Sequence, residues 1–542
     1  MEPHIQETIE RADEFIHGQF NLHAAGGLAV GIVHRGELVY AKGLGWADYA
    51  TRREVTPDTS FRIGSISKTF TAIGILQLWE QGLIDLDAPV NDYLQSYRFS
   101  HPDPSAPPIT FRHIFTHRTG LGDIRSWREL LPGQPISIAA EKGKVPPLSE
   151  FYGEGLHAEL HPGRKWSYDN HAYGTLGQII EEVSGQPFGQ YMIHHVFDPL
   201  GMDQTDYFLT ERVTDFATGY QVQGGPLEQV DYREIVIPGA GSIFSSVNQM
   251  ALYVAALMNG GANEQGRVIQ KETLAMMMER QWGLDDRLPG MGMTFWLETA
   301  QGHRIVQHGG GWPGFISMML VAPDDEVAVI AFTNCGNRSS YDVSVGLMRQ
   351  LLSIDAEAIT PPYPQIQSQP LTWSELTGVY QPAPGFSTNG RVWAAYGGGL
   401  EVKVEGTQLM LKPLGGLARA GLPLHPADAD DPFAFQLAPP QALWTPSLVQ
   451  PNWVLFRQDE NGQVDRLQLG FLEFYKRESW IHANSALAKT GQQIEINLQK
   501  RRAEVVAWYL QQMPNRWQAI KYVFVRVVLI WLFWRLFFGR RR

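Results

Sequence analysis

Apolar positions recur with different periods along this chain, and each period predicts a different element. Residues 5–20 (IQETIERADEFIHGQF) set Ile5, Ile9, Phe15 and Phe20 among charges, which predicts a surface helix. Residues 28–48 (LAVGIVHRGELVYAKGLGWAD) alternate about Arg35-Gly36, the pattern of a β-hairpin. Residues 66–81 (ISKTFTAIGILQLWEQ) are apolar over most of their length and stop at Gly82, as a buried helix with a glycine C-cap would. Residues 172–184 place Tyr173, Leu176, Ile180 and Val183 at helical spacing and are halted by Gly185 and Pro187. Three strand-like runs follow, MTFWLET (293–299), ISMMLVA (316–322) and VAVIAFTN (327–334), the last two joined across Pro323-Asp324-Asp325. Strands at both ends with helices between predict an α+β fold. Its antiparallel sheet is flanked by helices, closed by the N- and C-terminal strands, and carries an inserted helical region.

The pattern breaks near residue 356. TPPYPQIQSQP (360–370) has four prolines in eleven residues, a stiff extended linker. Beyond it, LEVKVEGTQLMLK turns at Glu405-Gly406 and WVLFRQDENGQVDRLQLG turns at Asn461-Gly462, which predicts a small all-β, barrel-like unit. The chain therefore divides into a first domain over 1–355, a linker over 356–370, a β domain over 371–478, a helical connector over 479–515 and an apolar basic tail over 516–542.

Composition narrows the function. The 542 residues suit three or four domains at ~150 residues each. With 44% apolar and 18% charged residues, disorder, collagen and coiled coil are excluded. The single cysteine, Cys335, excludes an internal disulfide framework and a Cys-based metal site, and reads as inert. The formal charge is −12; the tail from Arg516 carries +7 and no acid, leaving −19 on the first 515 residues. An acidic body argues against nucleic acid as a partner. The N-terminus has no apolar h-region, so the body is read as cytoplasmic. No cofactor is implied.

Three short motifs carry chemistry. In Phe61-Arg-Ile-Gly-Ser65-Ile-Ser67-Lys68-Thr69, Ser65 and Lys68 lie three apart at the start of an apolar helix, and so share a face. A serine hydroxyl needs a proton acceptor to become a nucleophile, and a lysine destabilised by burial or by a helix N-terminus can be one. Ser67 beside it fits an N-cap equally well. In Trp166-Ser167-Tyr168-Asp169-Asn170, Tyr168 and Asn170 point the same way on extended backbone. They read as a proton shuttle and an amide that fixes a lysine, or as a turn pair with a packing aromatic. In Gln307-His308-Gly309-Gly310-Gly311-Trp312, the glycines admit a substrate to the backbone or serve a tight turn. His113 and His117 lack the glutamate of a zinc-protease helix and read as core packing; no metal is expected. No Gly-x-Ser-x-Gly elbow is present.

In this order and spacing, over residues 15–355, the three motifs resemble the serine β-lactamase and penicillin-binding-protein superfamily, nearest its class C-like branch with family VIII esterases and D-aminopeptidases. Thr110–Leu121 and Pro238–Ser245 are similar to scaffold segments of that family. The resemblance implies roles. Ser65 is the acylated nucleophile, Lys68 its base, and Tyr168 the partner base that activates the deacylating water. Asn170, His308, Gly309 and Gly310 position substrate, and the N–H groups of Ser65 and Gly311 form the oxyanion hole. His308 stands where lactam-recognising members carry lysine, which favours esters, amides or short peptides over penicillins. The function expected is a serine hydrolase acting through an acyl-enzyme on small ester or amide substrates, with an esterase preferred. The alternatives are a peptidase or β-lactamase of the same family, or an acyl-binding sensor or scaffold without turnover. The sequence leaves oligomerisation open.

The tail (VRVVLIWLFWRLFFGRRR, 525–542) predicts a membrane contact on the cytoplasmic side. A helix over 522–538 spans ~26 Å at ~1.5 Å per residue, short of a ~30 Å hydrocarbon layer. An in-plane helix avoids burying Arg526 and Arg535. Deleting residues 516–542 should move the protein from the membrane to the soluble fraction with hydrolysis of soluble esters nearly intact. A full-length protein found in the soluble fraction of cells contradicts the anchor.

Overall fold

The computed structural model describes residues 2–23, 26–124, 138–222, 227–355, 366–415, 421–437 and 452–477. Residues 356–365 of the expected linker, the 479–515 connector and the 516–542 tail lie outside them. Among the described residues no helix is long and apolar enough to cross a membrane.

The strand Gly27–His34 is buried along its whole length, because it lies near the middle of a sheet covered on both faces. It pairs antiparallel with Glu37–Asp48 through the hairpin at Arg35-Gly36, and on its other side with Val327–Thr333, Leu28 opposite Thr333 and His34 opposite Val327. The sheet continues through Phe315–Ala322, His303–Trp312 and Trp296–Ala300, with short edge strands at Gly290–Met291 and Arg53–Glu54. The first and last strands of the domain thus pair side by side in the interior of an open sheet, with helices inserted between. The order of elements predicts their meeting, but the edges are the two short strands and the sheet is not closed.

Alternation along these strands splits the core in two. Leu28, Val30, Ile32, Met318, Leu320, Val329 and Ala331 face the terminal helices Pro3–Asn21 and Ser339–Leu351. Ala29, Val33, Met319, Val321, Ala328, Ile330 and Phe332 face the inserted helices. The first helix buries Ile5, Thr8, Ala12 and Ile16, whereas Ile9, Phe15 and Phe20 sit at the margin. Small residues at 8 and 12 let the helix approach the sheet, a contribution that a search for large apolar residues misses.

The helix Ser67–Glu80 is buried from Ser67 to Leu78, so it has no polar face. It packs on Asn170–Ser184, which ends at Gly185 in the left-handed region at φ 71°. Beyond the linker, eight strands from Gly378–Pro382 to Leu472–Lys476 form a closed barrel among the described residues. A helix, Gly390–Tyr396, interrupts it between the first two strands.

Ile330 has no exposed surface and pairs with Gly31 and Met319 at the centre of the sheet. Ile330→Ala should cost ~2–5 kcal/mol of stability, read as a lower urea midpoint at constant m-value. A loss under ~1 kcal/mol contradicts this account of the core.

Candidate active site

A single 3-10 turn, Gly64–Ile66, delivers Ser65 to the head of the buried helix. Gly64 adopts φ +52°, and a Cβ there would lie 2.6 Å from the nitrogen of Gly311. A Cβ on Gly310 would lie 1.9 Å from the carbonyl oxygen of Ile63, whose oxygen also accepts a hydrogen bond from Ser317 Oγ at 2.6 Å. Glycine at both positions lets the serine turn press against the strand His303–Trp312, so that the Gly311 N–H lies beside the residue preceding the nucleophile. Ser67 does not cap the helix. Its hydroxyl donates to Gly64 O at 2.7 Å and accepts from Ile243 N at 3.0 Å, tying the turn to the neighbouring segment.

Lys68 Nζ lies 3.1 Å from Ser65 Oγ, 2.7 Å from Asn170 Oδ1 and 2.5 Å from Ala240 O. The side chain is wholly buried. Desolvation lowers its pKa from 10.5 to about 7; Asp123 opposes the shift and Arg391 assists it. Tyr168 hydrogen-bonds Ser65, and burial holds its phenol above the ordinary range, so it is protonated at neutral pH. His117 stacks on the Tyr168 ring at 4.2 Å between centroids, and its Nδ1 accepts from Asp169 N at 3.1 Å. His113 forms a capping box with Thr110. Among the described residues no group of three or more His, Cys, Asp or Glu side chains could hold a metal ion.

Asn170 is the first residue of its helix, and Asp169 is the N-cap, accepting from Ala172 N at 3.1 Å. Burial raises the Asp169 pKa to about 7. Asn170 Nδ2 donates to Asp123 Oδ1 at 3.0 Å, so the amide oxygen faces Lys68. Asp123 Oδ2 in turn accepts from Arg391 Nε at 2.7 Å. Asp123 lies just past Thr-Gly-Leu-Gly in a segment with no chemical signature of its own. Arg391 comes from the barrel domain, some 270 residues away in sequence. Neither emerges from motif reading.

A cavity of about 260 Å³ opens on Ser65, Tyr168 and Asn170. Gly309, Gly310 and Gly311 form one wall; Trp296, Trp312, Ile138 and Arg391 are among the others. Trp312 was within reach of sequence reading, since it ends the Gly-Gly-Gly motif. His308 is placed differently from its glycine neighbours. It has no exposed surface and is not part of the cavity lining. Its Nδ1 donates to Gly309 O at 2.7 Å, and its ring lies 5.7 Å from that of Trp296. Burial, followed by the nearness of Lys68, lowers its pKa to about 3, so it is neutral above that pH. The barrel adds Phe471, which packs with Trp166 and Trp296 behind Tyr168.

The arrangement has a hydroxyl, a lysine of depressed basicity, a phenol that links to the hydroxyl, and backbone N–H groups at one open wall. It can activate Ser65 toward an electrophilic carbonyl or phosphorus centre. Because Lys68 accepts a proton only when neutral, phosphonylation of Ser65 by a fluorophosphonate should rise from pH 5 and level off above about 7. A rate independent of pH over 5–9 contradicts the lysine's role as base.

The Beta-lactamase family profile matches residues 10–350. Penicillin-binding protein 4* of Bacillus subtilis is 26% identical over 333 residues, spanning 57% of this chain and 68% of that protein. Esterase EstB of Burkholderia gladioli is 32% identical over 247 residues, spanning 44% of this chain and 62% of that one. The octameric penicillin-binding protein homologue from Pyrococcus abyssi superposes with a TM-score of 0.56 at 24% identity, over 86% of this chain and all of that one. That last likeness concerns the fold.

Proposed function

Because this chain belongs to the β-lactamase family, we propose that it is a serine hydrolase that cleaves small esters, or amides, through an acyl-enzyme on Ser65. The observation that carries the reading is the buried Lys68 amine 3.1 Å from Ser65 Oγ. Neutral Lys68 takes the proton as Ser65 attacks the carbonyl carbon, and the Ser65 and Gly311 N–H groups receive the developing oxyanion. Tyr168, hydrogen-bonded to Ser65, relays the proton to the leaving oxygen. A water then repeats the sequence on the acyl carbon, with Tyr168 and Lys68 as its base.

An ester preference is supported by the charge of the site. His308 is neutral and buried beside Trp296, so it offers no cation to a lactam carboxylate, and the cation in the cavity wall, Arg391, is paired with Asp123. The cavity volume suits a short acyl group, and Trp296 and Trp312 give that group apolar walls. Esterase activity of the kind named for EstB fits this chemistry. The apolar tail would hold the enzyme at a membrane surface.

Ser65→Ala should remove turnover of p-nitrophenyl esters and leave the thermal midpoint near that of the parent protein. Tyr168→Phe should lose ~10²–10⁴-fold in kcat. Wild-type protein should release p-nitrophenol well beyond one equivalent, and should cleave its best ester faster than nitrocefin. Release that stops at one equivalent favours the non-turning-over acyl binder. Nitrocefin turnover equal to the best ester contradicts the argument from His308. Full activity in Ser65→Ala or Tyr168→Phe contradicts the mechanism.

A further inference from the structure

We propose that Arg391, carried by the barrel domain, is a positioning residue of the catalytic centre, so that the site is complete only when both domains are docked. The proposal deepens the serine hydrolase reading and rests on it for its kinetic readouts.

Asn170 links Lys68 to the support behind it. A primary amide can present oxygen or NH2 to a neighbour, and only the oxygen can accept from Lys68. Asp123 makes that choice. Its Oδ1 accepts both Asn170 Nδ2 at 3.0 Å and Asn170 N at 3.2 Å, which directs the NH2 away from the lysine. Asp123 is itself held from the barrel. Arg391 Nε and Nη2 lie 2.7 and 2.6 Å from its Oδ2. The same guanidinium lies 4.2 Å above the Tyr168 ring. One side chain of the second domain therefore steadies the support of Asn170 and touches the proposed proton relay.

The segment that brings Arg391 there is fitted closely. Glu159 of the first domain accepts the backbone N–H groups of Phe386 and Thr388, the latter at 3.0 Å. Ser387 Oγ donates to Ile124 O, and Lys165 Nζ donates to Asn389 Oδ1. A Cβ on Gly122 would lie 2.1 Å from Ser387 O. The barrel segment thus grips the residues on either side of Asp123. A second polar seam lies elsewhere: Asp285 pairs with Arg457, and Arg287 with Asp431 at 2.8 Å. Docking at that seam fixes the barrel without touching the centre, so the contact at Arg391 is separable by mutation.

The ionic surroundings of Lys68 give the test its sign. Asp123, Asp169 and Arg391 face it, as do Tyr168 and Tyr173, together with the neutral His117 and His308. Removing a cation favours the ammonium form; removing an anion disfavours it. Arg391→Ala should therefore move the acid limb of kcat to higher pH, and Asp123→Asn should move it to lower pH. Arg391→Ala should also lower kcat about tenfold to hundredfold with KM changed less than about threefold. Arg391→Lys, which keeps a point charge for Asp123, should recover part of the rate and nearly all of the limb.

The same variants are measured for the rate of Ser65 phosphonylation against pH, in the full chain, with thermal midpoints alongside. Phosphonylation reads the positioning claim even if no ester is turned over, so loss of the hydrolase reading and loss of this one are distinguishable. Should Arg391→Ala fail to fold, Arg391→Lys and Asp123→Asn carry the comparison: a limb near the parent's in the first and a lowered limb in the second supports the proposal. A wild-type rate and limb in Arg391→Ala, or limbs moving the same way in Arg391→Ala and Asp123→Asn, overturns it.

Discussion

Removing a lysine amine from water is the constraint around which this molecule is arranged. An ammonium with no exposed surface loses its hydration, and unless partners replace that hydration it becomes a weaker acceptor of charge. Lys68 has replacements that are good but incomplete: three oxygens, from Ser65, Asn170 and Ala240, and no carboxylate in direct contact among its hydrogen bonds. Its basicity falls to the neutral range, where it can take a proton from Ser65 and give it up again. The helix that carries it must be sealed from water on every side to maintain this, and it is buried for twelve consecutive residues, its few polar side chains hydrogen-bonded within the protein. The sheet, in which strands from both ends of the domain pair side by side, provides the surface against which such a helix is sealed.

The two domains share that task. The first supplies every group with a chemical role, while the barrel supplies Phe471 behind Tyr168 and Arg391 beside Asp123. The interface combines apolar clusters, Phe471 with Trp166 and Trp296 and Leu288 with Leu455, with charged and backbone hydrogen bonds, and the polar contacts suit specific docking at a fixed register. Polar contacts of this kind depend on geometry, so they transmit the barrel's position to Asn170 more faithfully than a greasy surface would.

Much of this was legible in the sequence, for physical reasons. The runs at 28–34 and 316–333 are long and apolar because their strands are buried on both faces, while Glu37–Asp48 is half-buried and alternates, and together they predicted the antiparallel sheet. Gly82 and Gly185 marked helix ends through their left-handed conformation. Ser65, Lys68, Tyr168 and Asn170 belong to motifs whose local spacing expresses their juxtaposition, and the structure brings all four together. The apolar face of the first helix was misplaced in part, since Thr8 and Ala12 bury well without being large. His308 shares a motif with glycines that line the cavity, yet its ring is buried beside Trp296 and lies outside the cavity lining. Asp123 and Arg391 were invisible because their meeting depends on two domains docking. No local period encodes that contact. The inserted helix Gly390–Tyr396 escaped for a related reason: seven residues are too few to establish a helical rhythm.

The central claim is that Ser65, activated by a neutral Lys68, forms a covalent acyl-enzyme. Mass spectrometry of the protein quenched in acid during steady-state hydrolysis of a p-nitrophenyl ester tests it most directly. The account predicts a mass gain of one acyl group, located by digestion on the peptide that contains Ser65. Sustained turnover with an adduct on another residue would contradict it.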